Sequence, residues 1–157
     1  MVPVYPCRHS RRWCRREVWA AVSDGRDGGD DVFITESTDR SAIDLQPSPF
    51  DLSIGSLGRL TDASATGQVS NGDRSVEWTL EYEPDSYTFT PVDDEEQMVA
   101  MARSQDSGVH WSANESVAMT GTIMVDGEPI HLEDAPGHQG HTARAIGSRI
   151  LGLVALQ

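Results

Sequence analysis

Apolar and polar positions alternate most cleanly from Ser75 to Tyr82. Val76, Trp78, Leu80 and Tyr82 fall on one face, with Glu77, Thr79 and Glu81 on the other. This is the pattern of a strand with one side on a core and the other in water. The preceding run, Ala65 to Val69, leads into Asn71-Gly72, the favoured pair for a two-residue type I′ hairpin turn. Beyond Pro84-Asp85, Ser86 to Thr90 predicts a further strand with Tyr87 and Phe89 inward. A second hairpin is predicted around Asp126-Gly127. It pairs Ser116 to Val125 with Glu128 to Leu132 and sets Val117, Met119, Ile123 and Val125 on one face. Gly121 interrupts that face, as a glycine does at a bulge, a bend or a close contact. After Leu132 the expected strand runs out into a loop holding His138 and His141.

Earlier in the chain the apolar runs are shorter: Val32 to Thr35, Ile43 and Leu45 before Gln46-Pro47, then Leu52 and Ile54. A short helix is allowed only at Gln97 to Arg103, where Asp93-Asp94-Glu95-Glu96 suits a helix N-terminus and its dipole. Many short strands with frequent turn signals predict an all-β fold, an antiparallel partial barrel or sandwich with at most one short helix. Trp78, Tyr82, Tyr87, Phe89 and Trp111 are then candidates to line a cavity for an apolar small molecule. Simple filling of the core is the competing role for the same side chains.

Charge divides the chain. The 25 acidic residues face only 12 basic ones, all Arg, and the net charge is −13. Such a surface repels phosphate backbones, which argues against nucleic acid as a partner. Acidic excess without Lys also resembles the composition of proteins from salt-loving archaea. Residues 1 to 20 run the other way, with five Arg against one acid. The expected organisation is therefore a basic arm and flexible Gly/Asp linker over 1–31, a β domain over 32–142, and an apolar tail over 143–157. Cys7 and Cys14 are the only cysteines, so no disulfide framework is implied and a reducing, cytoplasmic setting fits. No run approaches the ~18 apolar residues of a membrane span.

Several kinds of chemistry lack their motifs. There is no Gly-x-Ser-x-Gly elbow, no dinucleotide fingerprint and no P-loop, so neither triad hydrolysis nor a nucleotide cofactor is implied. Cys7, His9 and Cys14 do not have a zinc spacing. The catalytic candidates are His138 and His141, as a proton-shuttling pair near neutral pH or as metal ligands with His131, Glu133 or Asp134. A structural role at the rim of the fold is open to both histidines.

Taken in order, Ser75–Tyr82, Trp111, Met119–Glu128 and Gly137–Thr142 resemble the lipocalin-like superfamily. It includes carotenoid 1,2-hydratase (hydroxyneurosporene synthase), tocopherol cyclase-type and AttH-type proteins. The resemblance covers roughly residues 65 to 142. It implies a lipocalin-like barrel and an isoprenoid or lipid-like ligand, held by a binding module or acted on by an acid/base hydratase or isomerase. The family's Gly-x-x-Asp-His-x-Trp-Gly segment is altered here. Gly140 stands where the acid before His141 is expected, His138 where an aromatic hydroxyl is expected, and Ala143-Arg144-Ala145-Ile146 follows in place of Trp-Gly. Because the acid is the expected proton donor, its replacement by Gly140 favours binding over hydration. The resemblance also implies two consecutive barrels, so the chain is expected to be a fragment, and a fragment without function is the third reading beside binding module and hydratase or isomerase. The chain's two ends are then out of frame, and its open strand edges are available for self-association.

Overall fold

The structure is a computed structural model that describes residues 2–4, 16–23, 29–47, 49–85, 91–94, 96–97, 100–101, 109–143 and 149–155. The fold is all-β and antiparallel, as expected. Its strands are β1 (Val2–Val4), β2 (Arg16–Val22), β3 (Val32–Thr38), β4 (Ile43–Pro47), β5 (Phe50–Ile54) and β6 (Gly58–Thr61). They continue with β7 (Ser64–Ser70), β8 (Ser75–Tyr82), β9 (Val109–Val125), β10 (Glu128–Ala143) and β11 (Arg149–Ala155). Among the described residues, nine strands form one sheet in the order β1-β11-β10-β9-β8-β7-β6-β5-β4, and β2-β3 form a separate ribbon. Within that description the large sheet is not closed into a barrel, and β4 and β1 are its two edges.

Alternation in the sequence explains which face is buried. Val76, Leu80 and Tyr82 of β8 are buried, with Trp78 half-buried between them. Leu52 and Ile54 of β5, Leu60 of β6, Ala65 and Val69 of β7, and Val117 and Met119 of β9 extend the same core. The ribbon covers it: Val18 and Ala20 of β2 and Val32 and Ile34 of β3 are buried in that cluster, and β3 lies against β7. Glu36 of β3 accepts the Ser70 N–H at 3.0 Å, and Asp30 just before β3 pairs with Arg74 between β7 and β8.

The stretch expected as arm and linker over 1–31 contains β2, which pairs with β3. Arg16–Val22 is a core-forming strand whose Val18 and Ala20 face inward. Its short alternation is masked by the basic residues that precede it. The expected tail over 143–157 likewise contains β11, which pairs with β10 from Ala143↔Arg149 to Gly137↔Ala155.

The two turns differ from each other. Val125 pairs with Glu128 around Asp126 (φ 52°) and Gly127 (φ 87°), so both central residues have the positive φ of the predicted two-residue turn. The β7–β8 turn is longer than Asn71-Gly72 predicts: Ser70 pairs with Ser75, leaving four residues. Asn71 is not among the residues of positive φ. Its side-chain oxygen accepts the Arg74 N–H, and the Asn71 N–H donates to the Arg74 carbonyl.

Residues 96, 97, 100 and 101 are helical, and Asp94 accepts the N–H groups of Glu96 and Gln97 as an N-cap. The expected strand with Tyr87 and Phe89 lies outside the described residues, as do Cys7, His9 and Cys14. Among the described residues, no helix is long and apolar enough to cross a membrane.

Candidate functional site

The inner face of the sheet has an apolar cavity at one place and a closed group of buried polar side chains at another. The cavity, about 310 Å³, lies between β2 and the sheet. Val18, Ala20 and Val22 approach it from β2, Leu52 and Ile54 from β5, and Val76, Trp78 and Leu80 from β8. Among the described residues that border it, Arg59 alone is ionisable. Its guanidinium is engaged by Asp51 through two hydrogen bonds, and this pairing holds the Asp51 carboxyl below its ordinary value. At ~30 Å³ per water, the cavity offers the room of roughly ten water molecules.

Trp78 owes its position to the strand beside it. It is the register partner of Gly67 on β7, and its ring lies where a Gly67 side chain would stand. Of the predicted ligand-binding aromatics, Trp78 alone is placed at the cavity among the described residues. Tyr82 is buried in the polar group instead, and Tyr87 and Phe89 lie outside the description. Trp111 is the register partner of His141, and its side chain is outside the description.

The polar group is built by β8, β9 and β10. The Asn114 side chain is fixed by main chain at both ends: its oxygen accepts the Asp85 N–H at 2.7 Å and its amide donates to the Asp62 carbonyl at 3.1 Å. The same amide donates to Gln139 Oε1 at 2.6 Å. The Tyr82 hydroxyl is 3.0 Å from both Gln139 Oε1 and the Thr61 carbonyl, a three-centre arrangement for its single proton. Gln139 Nε2 lies 3.2 Å from His141 Nε2, and the Phe50 ring stands 4.9 Å from the imidazole. Gln139, Asn114 and His141 are 0%, 2% and 5% exposed, which is tolerable only because their hydrogen-bonding groups are met. Among the described residues, no buried side-chain nitrogen or oxygen lacks a partner. Burial pushes the Tyr82 phenol well above its ordinary value, and the charge of Asp62 adds to the shift.

His138 and His141 sit in β10 rather than in the expected loop. Pro136, Gly137 and Gly140 read as chain breakers in the sequence, yet β10 absorbs them through register shifts between Leu132 and Ala135, at Gly137/Gln139 and at Gln139/Gly140. Asp134, at φ 51°, marks the first. The two histidines have different described partners. His141 turns inward to Gln139 and Phe50, whereas His138 Nδ1 donates to the Glu115 carbonyl at 3.2 Å. His138 Nε2 lies 3.5 Å from Ser112 Oγ, the outer limit of a hydrogen bond. With Ser112 only 2% exposed, its hydroxyl is closed to a substrate carbonyl. His131 pairs with Thr122 at 3.2 Å. Among the described residues, no three His, Cys, Asp or Glu side chains gather as metal ligands.

Asn114 and Gln139 are the members that sequence reasoning missed. No alternation marks them, because a period of two counted from buried Leu132 places Gln139 and His141 on the opposite face of β10. Compared with known proteins, the chain matches no protein family, no curated protein and no solved structure.

Proposed function

We propose that the protein is a lipocalin-like binding module for an apolar small molecule of isoprenoid or lipid-like character, with no chemistry of its own. The observation that carries this reading is the cavity of about 310 Å³ beneath β2, whose described lining is mainly aliphatic and aromatic, with Arg59 its one ionisable residue among the described ones. A site of this kind selects by shape and apolar area. Burying roughly ten methylene groups at ~0.8 kcal/mol each, less the cost of association, corresponds to weak to moderate affinity. The buried amides and imidazole of the polar group are already engaged with one another, which favours binding over hydration.

Trp78 supplies the test, because it borders the cavity. Titration with short isoprenoid alcohols and medium-chain fatty alcohols is expected to change Trp fluorescence saturably. Ala65→Leu and Ala20→Leu, which fill the cavity from β7 and from β2, are expected to weaken that response at least tenfold while leaving the far-UV circular dichroism unchanged. Equal responses in the wild type and in both folded variants would defeat the binding reading.

A further inference from the structure

The buried polar group fixes where its protons are. Asn114 cannot be turned around: its oxygen faces the Asp85 N–H and its amide faces the Asp62 carbonyl, and a main-chain group cannot exchange donor for acceptor. Gln139 must then present Oε1 to the Asn114 amide at 2.6 Å, so its own NH₂ faces His141 Nε2 at 3.2 Å. A nitrogen facing an NH₂ donor at that distance has to carry a lone pair. His141 is therefore held as the neutral imidazole with its proton on Nδ1.

We propose that His141 is an acid-sensitive latch on this end of the sheet: neutral, it closes the hydrogen-bond chain through Gln139 to Tyr82 and Asn114, and protonation at Nε2 opens it. A protonated Nε2 sets two donors against each other. Turning Gln139 to relieve them sets its NH₂ against that of Asn114, and turning Asn114 fails against the main chain.

Among the described residues, the groups around His141 come from several elements. Phe50 of β5 brings an uncharged ring, Asn114 of β9 and Gln139 of β10 bring amides, and Tyr82 of β8 brings a phenol held in its neutral form. On β11, Leu151 is the register partner of His141. Among the described residues, the charged ones joined to the group are Asp62, which acts on Tyr82, and Asp85, whose carboxylate accepts the Ser116 N–H. His138 engages Ser112 and Glu115 separately. Because the unfolded chain takes up the imidazole proton freely below about pH 6.5 while the folded arrangement resists it, the latch contributes stability above that pH and loses it as the pH falls.

Two measurements on the whole chain decide the matter. Long-range ¹H–¹⁵N correlation at pH 7.5 is expected to show His141 as the Nδ1–H tautomer. Urea unfolding from pH 7.5 to 5.0 is expected to show the wild-type folding constant falling by up to tenfold per pH unit below about 6.5 relative to His141→Gln, whose side-chain oxygen accepts from Gln139 at any pH. Gln139→Glu is the second variant. It sets an acceptor oxygen opposite His141, so its imidazole is expected to be protonated at neutral pH in the same spectra. An Nε2–H tautomer in the wild type, parallel pH profiles for wild type and His141→Gln, or an unchanged His141 in folded Gln139→Glu would each overturn the proposal.

Discussion

The Tyr82 hydroxyl stands 3.0 Å from Gln139 Oε1 and so ties β8 to β10 across the intervening strand β9. The same hydroxyl reaches the Thr61 carbonyl, which brings the end of β6 into the tie. Tyr82→Phe keeps the ring and removes the donor, and it is expected to cost about 1–2 kcal/mol in urea unfolding. The two proteins should also differ in alkali. Because the folded phenol is held above its ordinary value, its contribution is fully present below about pH 10. It is lost as the pH rises toward the raised folded value, a fall that Tyr82→Phe should not show.

Asn114 separates a lost contact from a stranded one. Asn114→Ala leaves the Asp85 N–H, the Asp62 carbonyl and Gln139 without the partner they share, and about 2–4 kcal/mol of destabilisation is expected. Asn114→Asp should cost at least as much at neutral pH, because a carboxylate keeps the acceptor toward Asp85 but has no hydrogen to give to Asp62 or Gln139. Denaturant midpoints of the two variants test this; a milder effect for Asn114→Asp would mean that the donors do not matter.

Two glycines are required by what lies beside them. At Gly121 a Cβ would run into the Thr79 carbonyl, and φ is 150°. Because that obstacle is main chain, Gly121→Ala is expected to destabilise by more than ~2 kcal/mol. At Gly67 the obstacles are the Trp78 ring and the Leu57 carbonyl. Because the displaced indole borders the cavity, Gly67→Ala should shift Trp fluorescence as well as lower the thermal midpoint. An unchanged emission spectrum in a folded Gly67→Ala protein would contradict this placement of Trp78.

Asp126 carries the acid dependence at the hairpin tips. Its carboxyl is held below its ordinary value chiefly by the Ser75 N–H and further by Arg74. A lowered folded value means a contribution that is complete above about pH 4 and lost as the pH falls through the lowered value. Asp126→Asn is therefore expected to be less stable at pH 7 and to converge on the wild type below pH 4. Stability curves that stay parallel across this range would remove Asp126 from the acid response.

The sequence made β8 plain because three of its four apolar positions are buried and its charged ones are exposed. The same alternation in Val18 and Ala20 was hidden by basic neighbours that say nothing about burial. In β10, Leu132 and Ala135 are both buried although three residues apart, because the irregularity at Asp134 shifts the phase by one. A strict period of two then assigns Gln139 and His141 to the wrong side, and Pro136 with Gly137 and Gly140 suggests a loop. Polar residues inside a fold also carry no mark in the sequence. Only the geometry reveals that Asn114 and Gln139 satisfy each other. Trp78 could be read as a cavity aromatic from its strand alone, but the wall opposite could not, since it comes from β2.

Asp126 also bears on how the strands find their places. It accepts the Ser75 N–H at 2.7 Å through one oxygen and Arg74 through the other, and its own N–H donates to the Ser75 carbonyl. The tip of the β9–β10 hairpin is thereby keyed to the first residue of β8. A slip of one residue between β8 and β9 would pull Asp126 away from Ser75 and at the same time turn Met119, which is fully buried, out toward water. The alignment of two hairpins joined through residues 83–108 is thus checked at its outer end by the Asp126 carboxylate, so a mispaired sheet forfeits these contacts as well as apolar burial.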